Sequence, residues 1–258
     1  MTYAESDSKS DFFVSLSTKK RITMKFDRPE QQIQQSWEIN ADAWIHAILS
    51  EGCANDQNQI ASRRIATDDA ILQAVLRYEP ARVLDVGCGE GWLTRALANR
   101  GVEVVGVDGC ATLIDRACDK GGGCFRAIGY DDIIADPGIL GQSYDAIACN
   151  FSLLGEEIGD LLRSLRQAIV SDGHLLIQTI HPFTACQEQP YVDGWKTETF
   201  DNFGGAFREP MPWYFRTVSS WFQQVSECGW RVCELQEPIH PQTQISLSLL
   251  LICQSPGN

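Results

Sequence analysis

The residues best suited to chemistry lie in one short segment, VLDVGCGEG, at positions 83–91. Three glycines alternate with other residues in it: Gly87, Gly89 and Gly91. Glycines at this spacing let the backbone turn tightly after a strand, and a ligand can approach because no Cβ atoms stand in its way. Two carboxylates accompany the loop, since Asp85 precedes it and Asp108 ends the next apolar run. The segment predicts a ligand-binding loop at the end of a strand.

The glycine spacing separates two kinds of ligand. A dinucleotide enzyme carries G-x-G-x-x-G and holds a pyrophosphate on the helix that follows. Here the third glycine comes one position early, and Asp85 beside the loop is unfavourable for a pyrophosphate but suits a cationic ligand. Asp108 is placed to accept hydrogen bonds from both ribose hydroxyls. These residues favour an adenosine ligand that carries no phosphate.

The phrase VLDVGCGEGWLTRALANRGVEVVGVD resembles the first two motifs of the class I S-adenosylmethionine (SAM)-dependent methyltransferases, an acid, then G-x-G-x-G, then a second acid. In element order the resemblance spans about residues 67–253. It implies that the cofactor is SAM and that the product is S-adenosylhomocysteine (SAH). It also implies methyl transfer to an O, N or C nucleophile of a small molecule.

The resemblance assigns the cofactor a set of contacts. The implied cofactor-binding residues are Trp37, Arg63, Asp85, Gly87, Cys88, Gly89, Gly91, Asp108, Gly109, Tyr130, Asp131, Asn150 and Phe151. The glycines line the methionine part, Asp85 lies near its amino group, Asp108 binds the ribose, and Cys110 lies against the adenosine. Two of these residues have a purely structural alternative. Cys110 could simply begin a helix, and Asn150 could be a plain turn residue.

The adenine contact departs from the family pattern. Tyr130 stands where the family normally has an acid that contacts the adenine amino group, and Asp131 follows it. Asp131 or Asp132 could instead cap a helix.

The N-terminal helix resembles the lid of small-molecule members of the family. Its residues Trp37, Asn40 and Trp44 recur on adjacent turns and could cover the cofactor, or the tryptophans could be core anchors. Arg63 or Arg64 could bind the SAM carboxylate, because Arg recognises carboxylates with two hydrogen bonds. Both could equally be surface arginines.

Methyl transfer depends mainly on proximity and desolvation, and it needs a general base only for a protonated acceptor such as a phenol. His181, at the end of the fifth predicted strand, is the candidate catalytic base, or it orients the loop before Pro182. Trp44, Tyr214 and Arg216 are candidate substrate residues, with Arg216 holding an acidic acceptor. The alternative is an aromatic cluster that anchors a long loop and includes Trp195 and Phe203. No metal site is expected.

Strands alternate with helices along most of the chain, which predicts an α/β fold. Seven strands are expected, at 83–86, 102–107, 124–128, 144–149, 174–180, 230–235 and 246–253. No helix separates the last two, so the last strand is expected to be antiparallel in a mostly parallel sheet. The architecture expected is a Rossmann-like three-layer sandwich with an N-terminal helical lid. Helices are expected at 30–49, 68–78, 92–99, 111–118 and 218–228. The second of these is expected to have Thr67 as its N-cap. Further helices are expected between the remaining strands.

The chain divides into a flexible arm at 1–28, a helical cap at 29–66 and a SAM-binding domain at 67–258. Within the domain, residues 181–216 hold four prolines and many aromatics, which predicts a lid-like insertion. We expect a monomer or a homodimer.

The composition of the chain limits which classes of binding partner and which cellular location are expected. The 258 residues carry a formal net charge of −13, which argues against a nucleic-acid binder because such proteins need a basic surface. No apolar run is long enough for a membrane span. The ten cysteines form no CxxC pair and are expected to be reduced and buried, which favours the cytoplasm. The rival functions are an NAD-linked oxidoreductase and a non-catalytic SAM-binding subunit.

Overall fold

A computed structural model describes residues 28–50, 59–186, 189–201, 203 and 206–256. The predicted arm therefore lies outside the described residues except for Arg28. The helices are α1 (Pro29–Ser50), α2 (Gln59–Leu76), α3 (Trp92–Ala98), α4 (Ala111–Lys120), α5 (Tyr130–Ala135), α6 (Gly159–Leu165), α7 (Pro182–Cys186) and α8 (Val218–Glu227), with a 3-10 turn at Pro137–Leu140. The strands are β1 (Arg82–Val86), β2 (Glu103–Asp108), β3 (Cys124–Ala127), β4 (Tyr144–Asn150), β5 (Ile169–Ile180), β6 (Gly194–Glu198), β7 (Met211–Phe215), β8 (Arg231–Gln236) and β9 (Ser248–Gln254).

Seven of these strands form one sheet in the order β3-β2-β1-β4-β5-β9-β8. The pairs among β1 to β5 are parallel, whereas β9 runs antiparallel to both β5 and β8. The predicted fold class, including the reversed last strand, is confirmed. Because β1, β2 and β4 run in the same direction, their carboxyl ends meet at one edge, where open α/β sheets bind ligands.

Helices cover both faces of the sheet because alternate strand residues point to opposite sides. On one face Ile147 and Ile177 pack with Trp221 of α8. On the other face Leu176 packs with Ile71 of α2 and Leu93 of α3. Two buried clusters on opposite faces of one sheet confirm the three-layer sandwich.

Helix α2 begins earlier than predicted, so Thr67 is not its N-cap. The helix starts at Gln59 and Thr67 lies buried in its middle, which puts the predicted boundary between 66 and 67 inside a helix. The residues before Thr67 are mostly helix formers without Gly or Pro, and they extend the helix past the capping signal. The carbonyl of Thr67 accepts a hydrogen bond from Gln178 on the sheet.

Two further elements differ from the sequence predictions. Strand β5 begins at Ile169, so it includes the predicted turn at 171–173; Asp172 has a positive φ of 62° there, and the pairing with β4 shifts register. The insertion at 181–216 contains helix α7 and a hairpin, in which Trp195 of β6 pairs with Tyr214 of β7. Proline and aromatic content indicated a loop, whereas the hairpin has its own ladder of backbone hydrogen bonds.

The cysteines divide between core and surface. All nine described cysteines are free; Cys149 and Cys253 are fully buried in the sheet. The expectation of burial is wrong for three that are exposed: Cys118, Cys124 and Cys233. Within the described residues, no helix has the length and apolarity needed to cross a membrane.

Candidate functional site

The glycine loop joins β1 to α3 at the carboxyl edge of the sheet. Gly87, Gly89 and Gly91 all have positive φ, at 73°, 55° and 82°. A Cβ on Gly87 would stand 2.3 Å from Cβ of Ser152, and one on Gly91 would stand 2.4 Å from the ring of Phe125. A Cβ on Gly89 would meet nothing within 4 Å. Packing therefore requires glycine at two positions, and at Gly89 the backbone faces open space that a ligand could fill.

Asp108 ties this loop to the end of β2. Its two carboxylate oxygens accept hydrogen bonds from the backbone N–H groups of Gly89 and Cys110, both at 2.8 Å. Burial raises the pKa of Asp108, and these two N–H groups partly oppose the rise. A carboxylate offers about four acceptor positions. Asp108 consequently shapes the loop and keeps acceptor capacity for ligand hydroxyls.

Asp85 lies beneath the loop and is only 1% exposed. Its Oδ2 accepts a hydrogen bond from the Thr94 hydroxyl of α3 at 2.8 Å. Burial raises the pKa of Asp85 to about 7, and the nearby charge of Asp108 adds to the rise while Thr94 opposes it. A nearby cation would favour the ionised form of this carboxyl.

Glu90, which the sequence reasoning missed, braces the same loop. The side chain is buried, and its Oε2 contacts Arg95 at 2.5 Å and Lys120 at 2.6 Å. Burial opposes ionisation, but Lys120 and Arg95 outweigh it and lower the pKa of Glu90. A single acid between two glycines could have been noticed as a loop anchor, although its partners lie on two different helices.

Tyr130 begins α5 and reaches over the first glycine of the loop. Its hydroxyl donates to the carbonyl of Ser152 at 3.0 Å, and the Ser152 hydroxyl donates to the carbonyl of Val86 at 2.8 Å. Burial is the main cause that raises the pKa of Tyr130. Asp132 accepts a hydrogen bond from the N–H of Gly129 and caps the helix, whereas Asp131 is exposed.

Asn150 and Phe151 lie at the carboxyl end of β4. Oδ1 of Asn150 accepts a hydrogen bond from Gln178 at 2.8 Å, and the N–H of Phe151 donates to the carbonyl of Gln178. Phe151 has a positive φ of 54°, which turns the chain sharply away from the sheet. Gln178 is buried and was missed, although one amide inside the apolar run HLLIQTI is a signal of a polar contact.

Helix α1 lies over the carboxyl end of β2. Trp37, Trp44 and Ala41 pack with Cys110 and Leu113, and the two indole rings meet edge to face at 5.3 Å. The helix is also bonded to the start of α4. There Glu38 accepts hydrogen bonds from the N–H of Ala111 and the hydroxyl of Thr112, and Gln34 donates to the carbonyl of Gly109. The helix covers the region predicted for the adenosine.

Asn40 of α1 holds the segment that leads into β7. Its amide donates to the carbonyl of Glu209 at 2.6 Å and accepts from the N–H groups of Arg208 and Glu209. Ser36 donates to the same carbonyl. The helix and the insertion are thus joined by hydrogen bonds between a side chain and a backbone segment.

Of the predicted substrate residues, Tyr214 is half-buried beside the ring of Trp195, whereas Arg216 is enclosed by the protein. Arg216 is 3% exposed and donates to the carbonyls of Gly155 and Glu156, with its guanidinium against the rings of Tyr214 and Trp221. Burial lowers the pKa of Arg216. Its Nη1 has no hydrogen-bond partner among the described residues. The guanidinium thus links the β4–α6 loop to the insertion through hydrogen bonds. The contact of Arg216 with an acceptor stays a prediction.

His181 follows β5 and lines a cavity that lies apart from the glycine loop. Its Nε2 is 2.7 Å from Oε1 of Glu237, and its Nδ1 accepts from the N–H of Phe183 at 3.3 Å. Both ring nitrogens are engaged in this arrangement, so the general-base role stays a prediction.

The side chains of Arg63 and Arg64 fall outside the described residues, so their predicted contact stays open. Among the side chains that the structure describes, no group of three or more His, Cys, Asp or Glu could hold a metal ion. The polar groups brought together at the sheet edge are those of the glycine loop, Asp108, Tyr130, Ser152 and Asn150.

Comparison with known proteins gives related sequences and folds. A ubiquinone biosynthesis O-methyltransferase of Marinobacter nauticus is 32% identical over 108 residues, which are 39% of this chain and 44% of that protein. The match thus spans less than half the length of that relative. A magnesium protoporphyrin IX methyltransferase from Synechocystis PCC 6803 has a TM-score of 0.61 at 17% identity, covering 88% of this chain and 99% of that one.

A 1,6-didemethyltoxoflavin-N1-methyltransferase from Burkholderia thailandensis has a TM-score of 0.55 at 18% identity, covering 90% of this chain and 92% of that one. These solved structures share the fold. The model of the methyltransferase domain family matches residues 59–235, from α2 to β8. The match covers more than half of the sequence and includes the glycine loop and the edge of the sheet around it. This protein therefore belongs to the methyltransferase domain family.

Proposed function

We propose that this protein transfers a methyl group from SAM to a small-molecule acceptor and releases SAH. The observation that carries the proposal is the open space at Gly89 beside Asp108. A ligand can lie against the backbone there and still find hydrogen-bond acceptors for ribose hydroxyls. The SAH-bound Synechocystis methyltransferase with the same fold supports the choice of cofactor.

The residues at the sheet edge fit SAM in charge as well as in shape. Asp85 can ionise beside the cationic amino group, Asp108 can accept from the ribose, and α1 covers the region above Cys110. When bound, SAM supplies an electrophilic methyl group and its own leaving group, so the protein must mainly orient the acceptor and exclude water. We assign water exclusion to α1 and the insertion, because Asn40 joins them over this edge.

A small acceptor fits better than a polymer. The net charge of −13 disfavours polyanions, and aromatic side chains fill the insertion and its contact with α1. The Marinobacter relative is an O-methyltransferase by name, which keeps a hydroxyl acceptor open. The general-base role of His181 for such an acceptor stays a prediction, because its Nδ1 accepts the N–H of Phe183. We further propose a cytoplasmic location, because the described cysteines are free.

Calorimetry with SAH tests the cofactor assignment. We expect binding heat at micromolar SAH and no comparable heat with NADH, because the glycine spacing does not suit a pyrophosphate. NADH binding without SAH binding would favour the rival function, an NAD-linked oxidoreductase. The comparisons with known proteins give no support for that function. Transfer of a labelled methyl group across an acceptor panel then separates an enzyme from a non-catalytic SAM-binding subunit, which would bind SAH without turnover.

A further inference from the structure

The cavity beside His181 has the volume of a small-molecule site. It measures about 400 Å³ and lies between the start of the insertion, the first residue of α8 and the β8–β9 connection. Ligand pockets in proteins have volumes of roughly 300–1,000 Å³ and combine apolar walls with a few polar groups. Its apolar walls are Phe183, Tyr191, Val218 and Ile245, and its polar end is Glu237 with His181.

The polar end of the cavity is anionic. In the tautomer in which Nδ1 of His181 accepts the N–H of Phe183, the proton on Nε2 is directed at Oε1 of Glu237. His181 therefore holds the carboxylate in place, and the Glu237 side chain is still 59% exposed. Lys and Arg are absent among the described residues that line the cavity. Lys196, which packs on Phe215 behind Tyr191, is bonded to Gln189.

Two aromatic rings line the cavity together with this carboxylate, and both are accessible to a ligand, Phe183 at 74% exposure and Tyr191 at 39%. The centroids of Phe183 and Tyr191 are 6.1 Å apart, with the ring planes inclined at 52°. Faces of aromatic rings attract cations within about 6 Å, by about 0.5–1 kcal/mol at exposed sites. The Tyr191 hydroxyl accepts the N–H of Val218, so its own proton can still be donated. Paired rings with one carboxylate favour an organic ammonium group.

We propose that this cavity binds the protonated amine of an apolar small molecule, and that this molecule is the methyl acceptor. The ammonium serves as the anchor and stays protonated, so methylation takes place at another atom. The link to methyl transfer rests on the proposed function. It is supported by position: His181 lies three residues beyond Gln178, the partner of Asn150, which is about 10 Å along an extended chain at the same edge of the sheet.

Titration of the SAH-saturated protein with 2-phenylethylamine and its neutral counterpart 2-phenylethanol, followed by ligand-observed NMR, tests the proposal. We expect the amine to bind at least tenfold more tightly than the alcohol. Glu237→Gln should remove this preference, and Phe183→Leu should reduce it several-fold while keeping an apolar wall. Glu227→Gln on the exposed side of α8 changes the net charge equally and should leave the preference intact.

Equal affinity for the two probes, absence of binding by both, or an amine preference that survives in Glu237→Gln would overturn the proposal. SAH calorimetry on the same sample keeps this result apart from the proposed function. SAH binding without an amine preference removes only the cavity assignment. An amine preference without SAH binding removes methyl transfer and leaves the cavity as an amine site.

Discussion

At the scale of single residues, the candidate site depends on backbone groups as much as on side chains. Asp108 accepts two N–H groups that belong to the glycine loop and to the turn before α4, so one carboxylate fixes the positions of both. Gly89 then presents its backbone to open space, while its neighbours are glycine for reasons of packing. The loop is therefore pre-organised before any ligand binds, which reduces the entropy cost of binding.

Substitution of Asp108 tests the ribose contact. Asp108→Ala should weaken SAH binding at least tenfold, about 1.4 kcal/mol, because it removes a charged acceptor and loosens the loop. Isothermal calorimetry gives the affinity, and Asp115→Ala on the exposed face of α4 is the matched control. Unchanged affinity in Asp108→Ala would show that the ribose lies elsewhere.

Asp85 makes stability depend on pH. Its folded pKa is raised from 3.8 to about 7 by burial, so its contribution to stability is fully present at low pH and is lost as the pH rises to about 7. The full effect is at most roughly 4 kcal/mol, at 1.36 kcal/mol per pH unit. A buried acid that destabilises the protein at neutral pH points to a ligand-related role.

Asp85→Asn should remove this dependence, because the amide keeps an acceptor for Thr94 and cannot ionise. The free energy of unfolding of the variant, relative to the parent, should increase from pH 5 to pH 8. Urea unfolding at several pH values measures it, with Asp115→Asn as the exposed control. If the difference in free energy of unfolding between variant and parent does not change with pH, Asp85 is not the group whose ionisation destabilises the protein.

At the scale of elements, the insertion and α1 are joined by hydrogen bonds, and we propose that together they form a cover over the cofactor. The hairpin β6–β7 reaches the β4–α6 loop through the N–H of Tyr214 and the guanidinium of Arg216, and it reaches α1 through the segment held by Asn40. The loop after β4 and the helix over β2 are therefore connected through the insertion.

Asn40→Ala should loosen this cover. It removes the side-chain acceptor for the N–H groups of Arg208 and Glu209 and one of the two donors to the Glu209 carbonyl. Each lost hydrogen bond contributes about 0.5–1.5 kcal/mol. Amide hydrogen exchange of residues 206–215 should become faster and SAH affinity should fall. Asp42→Ala on the same helix breaks only an exposed ion pair with Arg116 and should change neither. Unchanged exchange in Asn40→Ala would show that packing alone holds the insertion.

Elements with a local signal could be predicted from the sequence, and those that depend on distant contacts could not. The strand–glycine–helix unit around 83–98 and the reversed β9 are signalled by apolar runs, glycines and a helix-free connection. The β6–β7 hairpin was missed because residues 199–210 separate its strands and because Pro212 within β7 indicates a loop. The same holds in the candidate site: Asp108 could be proposed from its motif, whereas Glu237 becomes a candidate only because it contacts His181, 56 positions away.

At the scale of the whole molecule, the parallel order of β1, β2 and β4 brings the glycine loop, Asp108 and Asn150 to one edge, and the reversed β9 carries the chain back beside β5. The same topology also forms the cavity beside His181, because the β8–β9 connection brings Glu237 to the carboxyl end of β5. One sheet edge thus carries the glycine loop and, at β5, an anionic cavity. The topology separates the two sites in sequence and brings them to the same edge of the sheet.

The net charge of −13 gives the last prediction, which concerns polyanions. Binding to nucleic acid is driven by release of counterions from phosphates, which requires a basic surface. We expect no retention of a duplex DNA or of an RNA hairpin in gel-shift titrations at 50 mM salt, and no transfer of labelled methyl groups to either. Four basic residues, Lys19, Lys20, Arg21 and Lys25, form a cluster in the sequence that lies outside the described residues. The triple variant Lys19→Glu, Lys20→Glu and Lys25→Glu serves as the control. Retention that weakens with added salt and disappears in this variant would assign nucleic acid binding to that segment and reopen the choice of acceptor.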